Sequence, residues 1–479
     1  MQVAGGTNKT PLVSESTRLR REDRLIDKWG KALLATTVLA WAVGFFTDFT
    51  YGLSIIAIGG FIAVFYGLKN PAIGLLAIGI LCTIDAVARV FLSLGGLFRY
   101  NTLNFFLIAV AAANVFRLLQ SRFIFVKILM VFVVLLIVQL MYSTDLDDGS
   151  QQVFAVSSFL GLVVLVARAP MRVKVWEWFG LIGGVVGALG AGLYFLQGTV
   201  KMNYNAFAYF PLTALFCTCL SFVAVGRRSR IRGYLLLLTV FNSAWVFLSS
   251  SRGSTLVAMC CLLFLTLQLR KVSYMVTVAI AILIVGSVIS ARFSASEEES
   301  LGRFEKLFDS ESRDLGNRTS GRSDLFQGGW DMFRESPFLG IGTGSFSLRW
   351  ADVSARENLG YKPGMAASAH SGWLKVLVEN GIFGFALFLA FVFSFAVVGW
   401  NRRRSGVFPI GVLVTCVFTV ALLTTEFQGK GLWLLAAAAP SILYRGFPFE
   451  TKPSPRRVSS QNKPFAHTGS GGFRSVTTR

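Results

Sequence analysis

Histidine is all but missing from this chain: His370 and His467 are the only two in 479 residues. Charge is scarce as well. Only 15% of residues are Asp, Glu, Lys or Arg, against about a quarter in ordinary globular proteins. By contrast 54% are hydrophobic, and mean hydropathy is +0.60. That balance excludes secretion, a fibre or disorder as a description of the whole chain, because so much apolar surface has to be kept from water. It puts the protein in a membrane. Cysteine is sparse, and Cys82, Cys217, Cys219, Cys260, Cys261 and Cys416 all fall in apolar stretches. Without His or carboxylate neighbours they read as core residues rather than as a zinc site or a disulfide framework. Internal repeats and the matching halves of many transporters are also absent.

What the chain does have is a succession of apolar runs, near 32–46, 51–67, 71–94, 102–119, 124–142, 153–168, 176–197, 206–226, 234–250, 254–269, 272–291, 372–399, 406–424 and 431–445. At about 20 apolar residues per crossing, they predict an all-α polytopic membrane protein with about 12–14 transmembrane helices. The basic residues then sort by loop. With a cytoplasmic N-terminus, the inward loops carry Lys69, Arg117, Arg122, Lys127, Arg168, Arg172, Lys174, Arg227, Arg228, Arg230, Arg232, Arg270, Lys271 and Arg402 to Arg404. The short outward loops carry only Arg99, Lys201, Arg252 and Lys430. This alternation puts both termini in the cytoplasm. A net charge of +21 is accounted for by topology and anionic inner-leaflet lipid, so no nucleic-acid partner is expected.

The organisation expected is a cytoplasmic segment 1–30, helices within 31–291, an extracytoplasmic loop 292–371, helices within 372–446 and a disordered tail 447–479. The polar N-terminal segment makes the first helix an anchor rather than a cleaved signal.

The loop 292–371 holds about half of the protein's acids and many arginines. Ser323 is placed to cap a helix running to about Glu335 and stopped by Pro337, with Phe326, Trp330 and Phe333 on one side. Such a helix suits either the headgroup boundary or packing on the bundle. Gly340-Ile341-Gly342-Thr343-Gly344 reads as turns, with phosphate contact as the alternative. Of the two histidines only His370, where the loop re-enters the membrane, is placed for proton transfer; the competing reading is a helix-start residue bonded to backbone. Arg252, in Ser249-Ser250-Ser251-Arg252-Gly253 between two apolar runs, suits a diphosphate or else snorkels to headgroups. Asp85 with Arg89, and Lys375 with Glu379, are four apart and read as structural pairs. No acidic spacing points to a bound cation, so neither metal nor cofactor is expected.

Three pieces, in order around one loop, resemble the O-antigen ligase and polymerase superfamily of bacterial envelope glycosyltransferases. They are Ser251-Arg252-Gly253 ahead of a helix; Gly321-Arg322-Ser323 leading through Trp330 to Ser336-Pro337-Phe338-Leu339-Gly340-Ile341-Gly342 and Phe346; and Ala369-His370-Ser371-Gly372-Trp373-Leu374 with Glu379-Asn380-Gly381. The likeness spans about residues 200 to 400. It implies a metal-independent, inverting transferase of the GT-C type in the bacterial cytoplasmic (inner) membrane. The donor implied is a glycan on undecaprenyl diphosphate, passed outside the cytoplasm to a glycan or lipid acceptor. The resemblance makes His370 the base and Arg252 and Arg322 the holders of the leaving diphosphate. Arg318, Arg349 and Ser371 are further candidates for holding diphosphate or acceptor; Ser371 stands where the family often has Asn. The rival reading is a polysaccharide-lipid transporter or flippase, suggested by the many spans and by Asp85 with Arg89 in the bilayer.

Overall fold

A computed structural model describes residues 15–91, 102–121, 123–168, 172–196, 204–225, 229–249, 251–269, 322–359, 364–405, 408–424 and 430–445. The helices of the first part are α1 (Glu15–Phe46), α2 (Phe49–Gly67), α3 (Pro71–Phe91), α4 (Thr102–Ala112), α5 (Val115–Leu119), α6 (Ile124–Leu140), α7 (Leu146–Arg168), α8 (Val173–Leu196), α9 (Tyr204–Ala224), α10 (Ile231–Leu248) and α11 (Arg252–Leu269). Then come α12 (Arg322–Glu335), α13 (Phe346–Glu357), α14 (Gly372–Asn401), α15 (Phe408–Thr424) and α16 (Lys430–Arg445). Among the described residues there is no strand. Among the described residues seven helices, α1, α2, α7, α8, α9, α10 and α14, are long and apolar enough to cross a membrane. Shorter apolar stretches lie in α3, α4, α6, α11 and α15. The chain is an all-α polytopic membrane protein. The expected span 272–291, the first part of the loop with Arg318, and the tail 447–479 lie outside the described residues.

Three expected elements differ. The polar segment before the first span is helical from Glu15, because Ile26 and Leu33 are buried against the bundle while Glu22, Asp23 and Asp27 find basic partners on the α7–α8 connection and α8. The run 102–119 is not one span. The Asn114 amide donates to the Val110 carbonyl at 2.8 Å, and its own backbone leaves the helical region. At 1.5 Å per residue α4 is about 16 Å long, half of a hydrocarbon core.

The third difference is the largest. The run 372–399 reads as one span in the sequence, but α14 breaks at Gly381 (φ 62°, ψ −169°). The Trp373 ring lies 5.5 Å from Phe388 and 5.9 Å from Phe385, whereas fifteen residues of straight helix would hold 373 and 388 about 22 Å apart. The short limb 372–380 therefore folds back along the long limb 382–401. The broken hydrogen bonds are made good by the chain before α13. Ile341 and Gly342 N–H groups donate to Val378 and Glu379 carbonyls at 3.0 Å, and Ile382 N–H donates to Pro337 O at 2.8 Å.

Salt bridges and hydrogen bonds define the two ends of the bundle. At one, Arg172 pairs with Glu22 and Asp23 at 2.7 and 2.8 Å, Trp178 Nε1 donates to Asp27 at 2.9 Å, and Ser229 Oγ donates to Glu177 at 2.6 Å. The starts of α1, α8 and α10 are thus together, next to the end of α7. At the opposite end, where α6 ends and α7 begins, Gln139 Nε2 donates to Leu339 O at 2.7 Å and Thr144 N–H to Ser345 Oγ at 2.9 Å. We call these the basic end and the loop end, since Lys69, Arg117, Arg172, Lys174, Arg230, Arg232 and Arg402 to Arg404 all fall in the connections or terminal helical turns of the first.

One large core fills the bundle, with Phe132, Phe388, Phe391, Phe395, Phe418 and Trp433 ring against ring. A second, small core sits at the loop end: Leu325, Met332, Phe346, Trp350, Val353, Ala369, Leu374 and Val378. Of the six cysteines, all free, Cys416 is exposed on its helix and Cys260 half-buried; the other four are buried as expected.

Candidate active site at the loop end

The small core joins α12, α13 and the short limb of α14. α12 begins at Arg322, so Ser323 lies inside its first turn rather than capping it, and its hydroxyl bonds Asp324. The face of α12 that packs is Leu325, Gly328, Gly329 and Met332. Phe326 and Trp330 stay about half exposed on the other side, as a headgroup-boundary face would, and Phe333 packs against the core.

The glycine run serves turns. Gly340, Gly342 and Gly344 all have φ between +76° and +99°. A Cβ at Gly340 would overlap the Glu379 backbone, and one at Gly344 the Gly149 backbone. Only glycine lets this strand of chain lie against both α7 and the break in α14.

Under that stitch lies a buried polar network. Lys375 Nζ meets Asp148 Oδ2 at 2.9 Å, and the same carboxylate accepts from Gln152 at 3.0 Å. Glu379 is fully buried. Its Oε1 accepts the Phe346 N–H at 3.1 Å, at the first turn of α13, and the Gln152 amide at 3.5 Å. Thr343 Oγ1 reaches Gln139 at 3.2 Å and Asn380 at 3.5 Å. Lys375 and Glu379 are structural, as their spacing suggested, but the partners resolved for them come from α7 and α13. Asp148, Gln152 and Gln139 were missed; the available signal was an amide, Gln139, inside an apolar run where an unpaired polar group is costly.

His370 directly precedes the short limb. Its backbone is left-handed, φ 49°, which a residue with a side chain adopts at a cost of about 1–3 kcal/mol. Its side chain is exposed. Ser371 is the N-cap of α14: its buried hydroxyl accepts the Leu374 N–H at 3.4 Å and donates to Leu422 O, in the last turn of α15, at 3.2 Å. Trp373 Nε1 donates to Thr419 O at 3.0 Å. The fold-back therefore sets Trp373 level with Phe385 to Phe388 and Ser371, next to His370, at the end of α15.

The other candidates are placed by their backbones. Arg322 opens α12, one turn from Leu325, which shares the small core with Ala369. Arg252 opens α11, which packs on α15 and so reaches the same end. The side chains of Arg252 and Arg322, and all of Arg318, lie outside the described residues, as do the side chains of Asp85 and Arg89. Arg349 is resolved: it pairs with Glu335 at 2.7 Å and ties α13 to α12. Among the described residues no three His, Cys, Asp or Glu gather as metal ligands.

A polytopic membrane bundle with a loop-borne histidine at a broken helix is the class these features define. Residues 234–389, from α10 through the first turns of the long limb of α14, match the family described as O-antigen ligase, and this match supports the O-antigen ligase and polymerase superfamily. That family implies glycosyltransferase-like activity on lipid-linked glycans in a membrane. No curated protein matches the chain.

Proposed function

We propose that the protein transfers a glycan from undecaprenyl diphosphate to an acceptor hydroxyl, by ligation or polymerisation, at the outer face of the bacterial cytoplasmic membrane. The observation that carries this reading is the strained, exposed His370 at the loop end, where the starts of α11 and α12 bring the backbones of Arg252 and Arg322. The acceptor oxygen attacks the anomeric carbon, its proton passes to the His370 imidazole, and the bond to the diphosphate breaks with its electron pair leaving on undecaprenyl diphosphate. A single displacement of this kind inverts the anomeric centre. Arg252 and Arg322 hold the departing charge, and fixed guanidinium groups supply the stabilisation a divalent metal would otherwise give. Ser371 positions the histidine through its cap and its bond to α15. The concentration of lysine and arginine at the basic end supports a cytoplasmic basic end and an outward loop end.

The test is release of undecaprenyl diphosphate by detergent-purified protein, given a lipid-linked oligosaccharide and acceptor in the presence of EDTA. Release by wild type and its loss in His370→Ala is the expected result. In cells, donor accumulating on the inner face of the membrane in the His370→Ala strain would sink the transferase and favour a flippase.

A further inference from the structure

We propose that Glu379 is kept as a neutral carboxylic acid, closed into a two-bond ring with the Gln152 amide, and that this pair positions His370 by clamping the break in α14; the positioning role rests on the transfer reaction proposed above. Glu379 is fully buried, and its two oxygens are unlike. Oε1 accepts the Phe346 N–H at 3.1 Å and the Gln152 amide at 3.5 Å, while Oε2 is buried with no partner among the described residues. A neutral acid has this asymmetry, since one oxygen is a carbonyl that accepts and the other a hydroxyl that has to donate.

Gln152 supplies what that hydroxyl needs. It is also fully buried, and its Nε2 commits both hydrogens, one to Asp148 Oδ2 at 3.0 Å and one to Glu379 Oε1. The amide cannot be turned round, because its carbonyl would then meet two carboxyl oxygens. Its own Oε1 is left buried without a partner. Two unmet oxygens thus belong to two groups already joined through their other atoms. A proton on Glu379 Oε2, donated to Gln152 Oε1, closes the ring and satisfies both.

Charge argues the same way. Asp148 and Glu379 share one amide nitrogen, so two ionised carboxylates would stand side by side in a buried place, and like charges so close disfavour each other. Lys375 meets Asp148 at 2.9 Å, and none of the described ion pairs includes Glu379. The charged groups that face Glu379 are Lys375 on its own helix and Asp148 on α7. α12 packs on the short limb through Leu325, Gly328, Gly329 and Met332, α13 offers the Phe346 N–H, and α6 brings the uncharged Gln139.

The pair sits at the pivot of the fold-back. Glu379 is two residues before Gly381, its carbonyl accepts the Gly342 N–H at 3.0 Å, and its side chain joins α7 to the first turn of α13. The far end of the same short limb is the Ser371 cap, with His370 just before it. Loss of the proton removes one bond of the ring and sets a second negative charge beside Asp148. The limb then loses its hold on α7, and His370 its alignment with the acceptor.

Infrared spectra of detergent-purified wild type and Glu379→Gln test the pair, because the carbonyl of a protonated acid absorbs above the amide band and a carboxylate below it. The expected difference spectrum at neutral pH contains the protonated-acid band; a carboxylate band in its place overturns the inference. Glutamine reproduces the neutral acid in the ring, so Glu379→Gln is expected to stay monodisperse, and a Gln variant that fails to fold also overturns it. The ratio of transfer by Glu379→Gln to that by wild type is expected to rise several-fold as pH is raised, since only the wild type has a proton to lose here and the titration of His370 is common to both. A ratio that stays flat overturns the positioning role. No transfer by wild type strikes the donor class, and the infrared band still decides the pair.

Discussion

His370 is the residue at which strain and chemistry coincide. A left-handed backbone outside glycine persists only where surrounding contacts enforce it, and here Ser371 fixes the next residue through Leu374 and Leu422. Glycine has no Cβ to resist φ 49°, so His370→Gly is expected to be more thermostable than His370→Ala by about 1 kcal/mol. Both are expected to lose transfer. Thermal unfolding of the two in one detergent, alongside the release assay, checks this; an Ala variant as stable as the Gly variant would remove the argument for strain. Arg349 is the opposite case. Its ion pair with Glu335 is about 40% exposed on each side, so Arg349→Ala is expected to cost under about 1 kcal/mol of stability. A large loss of transfer in a protein of nearly wild-type stability would make Arg349 a substrate-binding group. Histidine rarity made His370 legible in the sequence; its backbone strain was not, because φ is set by what Ser371 and Ala369 are tied to.

At the scale of elements, the break in α14 is the decisive feature. Two devices hold it: glycines that permit close backbone approach, and the buried network of Lys375, Asp148, Glu379 and Gln152. Lys375 is buried and Asp148 about a quarter exposed, so Lys375→Met, which strands the carboxylate, is expected to destabilise by about 3 kcal/mol. Adding Asp148→Asn is expected to restore part of that. A double variant no more stable than Lys375→Met would show that the two are not coupled. Gly381→Ala should be still more damaging, since its Cβ would overlap the Phe338 carbonyl while φ is positive; loss of monodisperse protein on size exclusion is the expected readout. The motif Glu379-Asn380-Gly381 was visible in the sequence as part of a family likeness. That its glycine turns a span back on itself was not, because the partners of the break, Pro337 to Gly342, are about forty residues away.

At the scale of the molecule, sidedness is the testable property. On a cysteine-free background, Met141→Cys at the loop end is expected to react with a membrane-impermeant maleimide in intact cells. Arg403→Cys at the basic end is expected to react only after permeabilisation. Met141 and Arg403 are both exposed, so access is governed by the membrane and not by burial. The reverse pattern would invert the topology and put the loop in the cytoplasm. By itself the sequence determined the membrane class, the helical architecture, the grouping of basic residues and the family likeness, because transfer of apolar side chains from water and short ordered motifs are local properties of a chain. Only the tertiary structure decided that 102–119 is broken, that α14 folds back to bring Ser371 and with it His370 to the end of α15, and that Lys375 and Glu379 meet partners from α7 and α13. Each of these depends on backbone groups and side chains from separate segments meeting in one place, and hydropathy along a single segment carries no record of which other segment will satisfy them.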